Sequence, residues 1–433
     1  MYYKYLLAAI IVTFFTSCKV KKEVTVNNSS SSNGLPEPYA TKSVMNFSNV
    51  IGWKNDQVPK APEGFTVKKY AEGFENPRWM YVTPNGDVLV AESNSNHPLI
   101  ERIGAFFIGA NKSNNLHHSA DRITLLRDTT NDGIPDMHDT FLEKLNQPFG
   151  MLIIDDWFYV ANTDGLWRYP YKAGQTKITE KGKKLLSLPA GKHNRHWTRN
   201  IIANKDGSKI YIAVGSGSNV AEHGMEAEFR KANILVINPD GTDLKVYASG
   251  LRNPVGMDWA PGTNTLWTVV NERDQLGDNL VPDYLTHVED GGFYGWPYVY
   301  FGQHADPRVT AKQPASVKNT IIPDVPVGSH TASLGLLFYS GNSFPKKYQQ
   351  GAFVVQHGSW NRSTLSGYKV IFVPFSNGKP SGNSEDFLTG FIDDLSREKV
   401  YGRPVGAAML PDGSLIITDD VTNIIWRVDA VKN

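Results

Sequence analysis

The sequence carries a single cysteine, Cys18, in 433 residues. A disulfide framework within the chain is therefore excluded, and the fold must hold by its apolar core. An excess of either charge is also missing: 44 Lys and Arg stand against 43 Asp and Glu, leaving +1. Nothing in that balance resembles a nucleic-acid footprint. The apolar run Leu6 to Phe15 is too short to span a bilayer. No Ser stands in a nucleophile elbow. No phosphate-cradling glycine loop or nicotinamide fingerprint is present, and no C-x-x-C-H haem motif occurs.

What is present is a repeat. A polar lead-in precedes a short apolar run, then a turn of Pro, Gly, Asn or Asp, a second apolar run and a polar exit. The clearest copy is Arg252-Asn253-Pro254 leading into VGMDW, turning at Pro261-Gly262 and leaving at Asn271-Glu272-Arg273-Asp274. Other copies follow Asn76-Pro77, Gln147-Pro148, His196-Trp197, His330-Thr331 and Arg403-Pro404. Such hairpins cannot bury both faces alone, so they stack. Radial stacking predicts an all-β, six-bladed β-propeller. The copies lie roughly 50–80 residues apart, so long loop insertions are expected on the top face. Glycine (38 residues) and aromatics (11%) suit such a turn-rich fold, and an irregular β-sandwich is the alternative.

At the N-terminus, Lys4, the apolar run and Thr16-Ser17 lie ahead of Cys18, in the order of a short secretory signal. The arrangement resembles a bacterial lipobox, with Phe15 where Leu is usual. The expected division is a lipoprotein signal peptide over 1–17, a flexible polar tether over 18–45 and the propeller over 46–433. Cys18 would carry the lipid, which would be the chain's only membrane contact, on the bacterial cell envelope. An ordinary signal peptide with a chance cysteine is the alternative. Within residues 46–75, Trp53 and Phe65 read as packing residues, and a closing or outer strand is expected.

Two stretches invite a cation or a cover. Asp128, Asp132 and Asp136 stand at calcium-loop spacing with Gly133 among them. A plain β-turn explains the same residues. Residues 275–325, with GGFYGWP inside, read as a loop over the top face or as packing on the outside.

In a propeller the innermost strands line a central channel, and sites form where their loops converge. The lead-in residues Asn76, Gln147, His196, Asn253, His330 and Arg403 are expected to form one ring. The exit residues Glu92, Asn162, Ser216, Glu272, His357 and Asp420 are expected to form another. Neither has zinc spacing. A lone His among Arg, Asn and Gln suits an anionic, carbonyl-rich ligand held by guanidinium forks. The imidazole would be placed to take a proton.

At these residues the chain resembles the soluble glucose/sorbosone dehydrogenase family, propellers that use pyrroloquinoline quinone. The strongest match is Gly250-Leu251-Arg252-Asn253-Pro254 with GGFYGWP at 291–297. HWTRN at 196–200, the NERD run at 271–274 and the SWNR run at 359–362 look closest to the sorbosone branch. The resemblance implies oxidation of a sugar or sugar-derived aldehyde by hydride transfer to the quinone. It implies His196 as general base and Arg252 beside the developing oxyanion. Arg252, Asn253, Asn361, Arg362 and Arg403 would hold the cofactor, and Gln147 would face the substrate. The backbone carbonyls of Glu272 and Arg273 would bind Ca2+. Electrons would leave to a separate acceptor. Arg195 and Arg199 would help keep His196 neutral. The rival readings are a propeller lactonase or other hydrolase with a central metal, and a non-catalytic surface-binding propeller.

Overall fold

The computed structural model describes residues 34–96, 104–114 and 116–431. Cys18, the expected signal peptide and the first part of the expected tether lie outside the described residues. Helix among the described residues is confined to short turns, and none is long and apolar enough to cross a membrane.

The chain is all-β. Six of its sheets have four or five strands, and most of their strands follow one another antiparallel in chain order. Their first strands are Pro77–Val82, Met151–Ile154, Ile201–Ala203, Pro254–Trp259, Ser333–Phe338 and Pro404–Met409. Each first strand touches the next in this order, and Pro404–Met409 touches Pro77–Val82. The sixth sheet takes its outer strand from the N-terminal side. Phe65–Glu72 pairs antiparallel with Ile424–Ala430.

Second strands such as Val88–Glu92, Leu266–Val270 and Gly351–Gln356 are buried along their whole length. A strand covered on both faces has no polar side to show, so its sequence is a continuous apolar run. Apolar clusters fill the space between each sheet and the next. Leu89, Phe149 and Phe158 lie between the first two sheets, and Trp267, Leu285 and Val354 between the fourth and fifth. Phe353, Phe372 and Trp426 lie between the fifth and sixth. Each such side chain contributes about 1.5–3 kcal/mol when fully buried. Trp53 and Phe65 pack into this last cluster. Trp53 lies against Phe391, Tyr401 and Trp426, and Phe65 against Phe344, Tyr348 and Phe387.

Glycine lets the first strands come together. A Cβ on Gly150 would stand 2.4 Å from the Ile201 nitrogen. On Gly256 it would stand 2.5 Å from the Leu336 nitrogen, and on Gly335 2.6 Å from the Val405 oxygen. On Gly406 it would stand 3.0 Å from the Arg78 oxygen. The glycine two residues beyond the lead-in Pro at 150, 256 and 406, and Gly335 in the fifth sheet, are thus contacts between neighbouring sheets.

Residues 35–50 run across the loops at one end of these sheets. The Tyr39 amide donates to the Leu276 carbonyl (2.8 Å), and the Asp278 amide to Thr41 Oγ1 (2.7 Å). The Asn46 amide donates to the Trp360 carbonyl (2.7 Å), and Phe47 stacks on Trp360. Asn49–Val50 pairs parallel with Lys399–Val400. The end of the expected tether is therefore laid down as a strap, because its Thr, Ser and backbone groups find partners there.

Candidate active site

The lead-in and exit residues meet at one end rather than at two. In an antiparallel hairpin the start of the first strand faces the end of the second. Pro77 is opposite Glu92, Pro254 opposite Val270, and Pro404 opposite Asp419. The two expected rings are one mouth. Asn76, Gln147 and His330 enter it with left-handed φ values of 56°, 49° and 60°. That conformation is uncommon outside glycine and is tolerated best by Asn among the larger residues.

His196 stands in this mouth, partly buried. Its Nδ1 lies 2.8 Å from the Ser216 carbonyl and 2.9 Å from Ser216 Oγ. Ser216 Oγ gives its own proton to the Ser218 carbonyl at 2.6 Å. Both groups facing Nδ1 are therefore acceptors, so Nδ1 carries the hydrogen and Nε2 the lone pair. Nε2 makes no hydrogen bond among the described residues. Burial pushes the imidazole well below its ordinary pKa, and the Arg252 guanidinium pushes it further. Gly215 makes the placement possible, since a Cβ there would stand 2.5 Å from His196 Cβ and 2.4 Å from Asn253 Oδ1.

Arg252 is buried, and all five of its donors are taken. Nε meets the Asn219 carbonyl (3.3 Å), and Nη1 meets the carbonyls of Asn271 (3.1 Å) and Glu272 (2.6 Å). Nη2 meets Asn219 Oδ1 (2.9 Å) and Asp274 Oδ2 (3.0 Å). Asp274 also accepts from Asn361 Nδ2 (2.9 Å) and lies 3.7 Å from His330 Nδ1. Burial opposes its charge, but Arg252 and His330 overcome that and hold the carboxyl at about 2. Burial likewise opposes protonation of His330, and Asp274 outweighs it and raises its pKa.

A second ionic group lines the same mouth. Asp420 pairs with Arg78 and accepts from His357 Nε2 at 2.9 Å. Burial, with the Arg403 charge, lowers His357 to about 4, so its neutral form is the stable one. In that form Nε2–H donates to the carboxylate. Arg403 is buried over the Tyr368 ring and donates to the His357 (3.1 Å) and Gly358 (2.8 Å) carbonyls. No carboxylate pairs with it among the described residues, and its Nη1 donors make no hydrogen bond there.

The expected residues separate on this geometry. His196, Arg252, Asn253, Asn361 and Arg403 are brought to the mouth. Gln147 is there too, buried and donating to the Asn94 carbonyl at 2.7 Å. Arg252 is not an open fork, since carbonyls and Asp274 already occupy it. Arg362 is turned to the loop beside the mouth, donating to the Asp278 carbonyl (3.0 Å) and Asn279 Oδ1 (2.9 Å). Arg273 is expected to offer its backbone carbonyl; its side chain pairs with Glu272 and reaches Asp306 and the Pro297 and Val299 carbonyls. Sequence reasoning passed over Asp274, Asn219 and the pairing of Arg78 with Asp420. Asp274 ends the NERD run, and the charge cluster there is the one signal that pointed to it.

An anionic ligand fits this mouth. Three guanidiniums, Arg78, Arg252 and Arg403, face two ionised carboxylates, Asp274 and Asp420. Asn253 Oδ1 and Asn361 Oδ1 are buried acceptors without partners among the described residues, and they suit a hydroxyl or N–H of the ligand rather than its negative charge. A metal fits less well. No group of three His, Cys, Asp or Glu among the described residues is arranged to hold one. The Glu272 carbonyl already receives Arg252. At the expected calcium loop, Asp128 accepts from the Gly133 amide (2.7 Å), Asp132 from the Ile134 amide (2.9 Å) and Asp136 from Thr129 Oγ1 (2.8 Å). These carboxylates accept from the amides and a hydroxyl of their own turn.

Residues 57–432 match DUF7133, a domain of unknown function. An uncharacterised protein of Borreliella burgdorferi is 32% identical over 67% of this chain and 77% of its own length. The pyrroloquinoline quinone-dependent pyranose dehydrogenase of Coprinopsis cinerea is 24% identical over 84% of this chain. The chain covers 54% of that relative, about half its length. Among solved structures, a Trichoderma reesei enzyme of carbohydrate-active family AA12 aligns with TM-score 0.71 at 18% identity, over 88% of this chain and 100% of that one. The holo quinone domain of the Coprinopsis pyranose dehydrogenase aligns with TM-score 0.68 at 19% identity, over 88% and 100%. The quinone-bound aldose sugar dehydrogenase of Streptomyces coelicolor gives 0.56 at 14%, over 86% and 99%. The chain shares its all-β fold with these proteins.

Proposed function

The chain belongs to the DUF7133 family, and we propose that it is a pyrroloquinoline quinone-dependent sugar dehydrogenase. One observation carries the proposal. His196 is locked as a neutral base with Nε2 free, in a mouth whose Arg403 has charge and donors to spare. The relatives named as quinone-dependent sugar dehydrogenases, which share the fold, support the same choice.

Arg403, with Asn253 and Asn361, would hold the anionic quinone. When bound, the quinone supplies the hydride acceptor, and a separate electron acceptor takes the electrons on. His196 Nε2 takes the hydroxyl proton of the sugar, and Ser216 keeps the ring in the tautomer that can do so. Arg252 acts through its charge, lowering the basicity of His196 and holding the loop that carries Glu272 and Asp274. Gln147 lines the substrate side. A calcium ion on the Glu272 carbonyl would share that oxygen with Arg252 Nη1, and the proton path above does not involve one.

We read the six sheets as six propeller blades, supported by the order in which their first strands touch. We read the substrate as an aldose or sorbosone-type aldehyde from HWTRN, NERD and SWNR, and the location as the bacterial envelope with lipid on Cys18. Titrating pyrroloquinoline quinone into the protein, followed by tryptophan emission, tests the cofactor. Saturation near one equivalent is expected, and an unchanged spectrum would refute it.

A further inference from the structure

Phe107 and Phe106, the two most exposed large apolar residues among those described, stand beside Ile108 in one short tip. Phe106, Phe107 and Ile108 are consecutive, with 69%, 81% and 53% of their surface open. Isolated apolar side chains on a surface are ordinary, but two adjacent exposed phenylalanines beside an isoleucine are a contiguous patch. The loop bearing them joins Val88–Glu92 to Arg122–Arg127, so it leaves from the mouth end. Its described residues 104–114 contain one Lys and no Asp or Glu. Such a tip suits an interface with headgroups above and acyl chains below, where aromatic rings settle and a lysine meets anionic lipid.

The N-terminal strap adds a second line of argument. It ties to the tip's own loop, where Ser113 Oγ donates to the Ser48 carbonyl at 3.1 Å. Its first described residues sit at the same end, with Tyr39 on the Leu276 carbonyl. Fifteen residues separate Cys18 from Gly34. A lipid on Cys18 would therefore be joined to the folded part at its mouth end. Tyr39 and Met45 on the strap, and Phe229 on the loop after Ile210–Val214, are also exposed at this end.

We propose that Phe106-Phe107-Ile108 inserts into the bilayer surface and fixes the tilt of the mouth over the membrane. The proposal rests on the lipid-anchor reading of Cys18. A protein partner is the competing occupant, and the tip's small size and lack of carboxylates favour lipid.

Spin labels test it in the full chain reconstituted in phosphatidylethanolamine and phosphatidylglycerol vesicles. The single native cysteine makes the labelling clean, since an acylated Cys18 does not react. One label is placed with Phe107→Cys and one with Ala173→Cys, in the exposed turn after Gly165–Pro170 at the opposite end. Collision with oxygen relative to a water-soluble nickel chelate is expected to be at least about tenfold higher at 107 than at 173. Equal ratios in an acylated, vesicle-bound chain would overturn the tip and leave the anchor standing. Labelling of Cys18 in the parent would instead refute the anchor. The same comparison with vesicles added to that unanchored chain then judges the tip alone, and a water-like label at 107 refutes it.

Discussion

Replacing Asp274 by Asn removes one charge while keeping the shape of the side chain. In the parent, Asp274 receives Arg252 at 3.0 Å and Asn361 at 2.9 Å, and Arg252 is 1% exposed. The variant leaves a buried guanidinium without its counter-charge, and breaking a buried pair in this way costs about 3–5 kcal/mol. The titration gives a second measure. A carboxyl held at about 2 instead of 3.8 corresponds to about 2.5 kcal/mol. Because the folded pKa is depressed, this stability is fully present above pH 3.8 and is lost as pH falls through about 2. Urea unfolding of parent and Asp274→Asn should therefore differ by roughly 2–5 kcal/mol at pH 7, with the gap shrinking below pH 4. Adding Arg252→Met should recover part of the loss, because the stranded charge goes with it. A gap under about 0.5 kcal/mol at pH 7, or one that does not shrink in acid, would show that the pair is an exposed one in solution.

His196→Ala should lower turnover by about 10²–10⁴-fold while quinone affinity survives, read by steady-state assay beside a quinone titration. Arg403→Ala should weaken the quinone by about 1.5–3 kcal/mol with turnover at saturation kept close to the parent, read by the same titration. Gly256→Ala should destabilise by about 1–3 kcal/mol in urea, since its Cβ would meet the Leu336 backbone. His287, raised to about 9 chiefly by its hydrogen bond to Asp324, contributes stability that is present below pH 6.5 and lost as pH rises through 9. His287→Gln should flatten unfolding midpoints across that window.

Much of the fold was legible because it repeats. Proline and glycine recur at fixed offsets in Pro148-Phe149-Gly150, Pro254-Val255-Gly256 and Pro404-Val405-Gly406, and the continuous apolar second strands follow from burial on both faces. The role of those glycines was not legible, since close approach to a neighbouring sheet depends on stacking that no single copy contains. The strap misled in a similar way. Residues 35–45 look like polar linker, and only the loops at Leu276 to Asp278 show what their Thr and Ser groups bond to. In the site, His196 and Arg403 could be picked out by residue type. Arg252 looked like a free fork because its acceptors, the carbonyls of Asn219, Asn271 and Glu272, have no side-chain signature. The single mouth required strand register, which periodicity leaves open.

Oxidation of a sugar at this mouth, through a bound quinone and with His196 as base, is the proposal on which the other site roles depend. It is tested most directly by loading the purified protein with pyrroloquinoline quinone and following dye reduction across a panel of aldoses and sorbosone. The account predicts sugar-dependent reduction that saturates with quinone and falls by about 10²–10⁴-fold in His196→Ala. Reduction at the no-enzyme rate for every sugar, from folded and quinone-saturated protein, would contradict it.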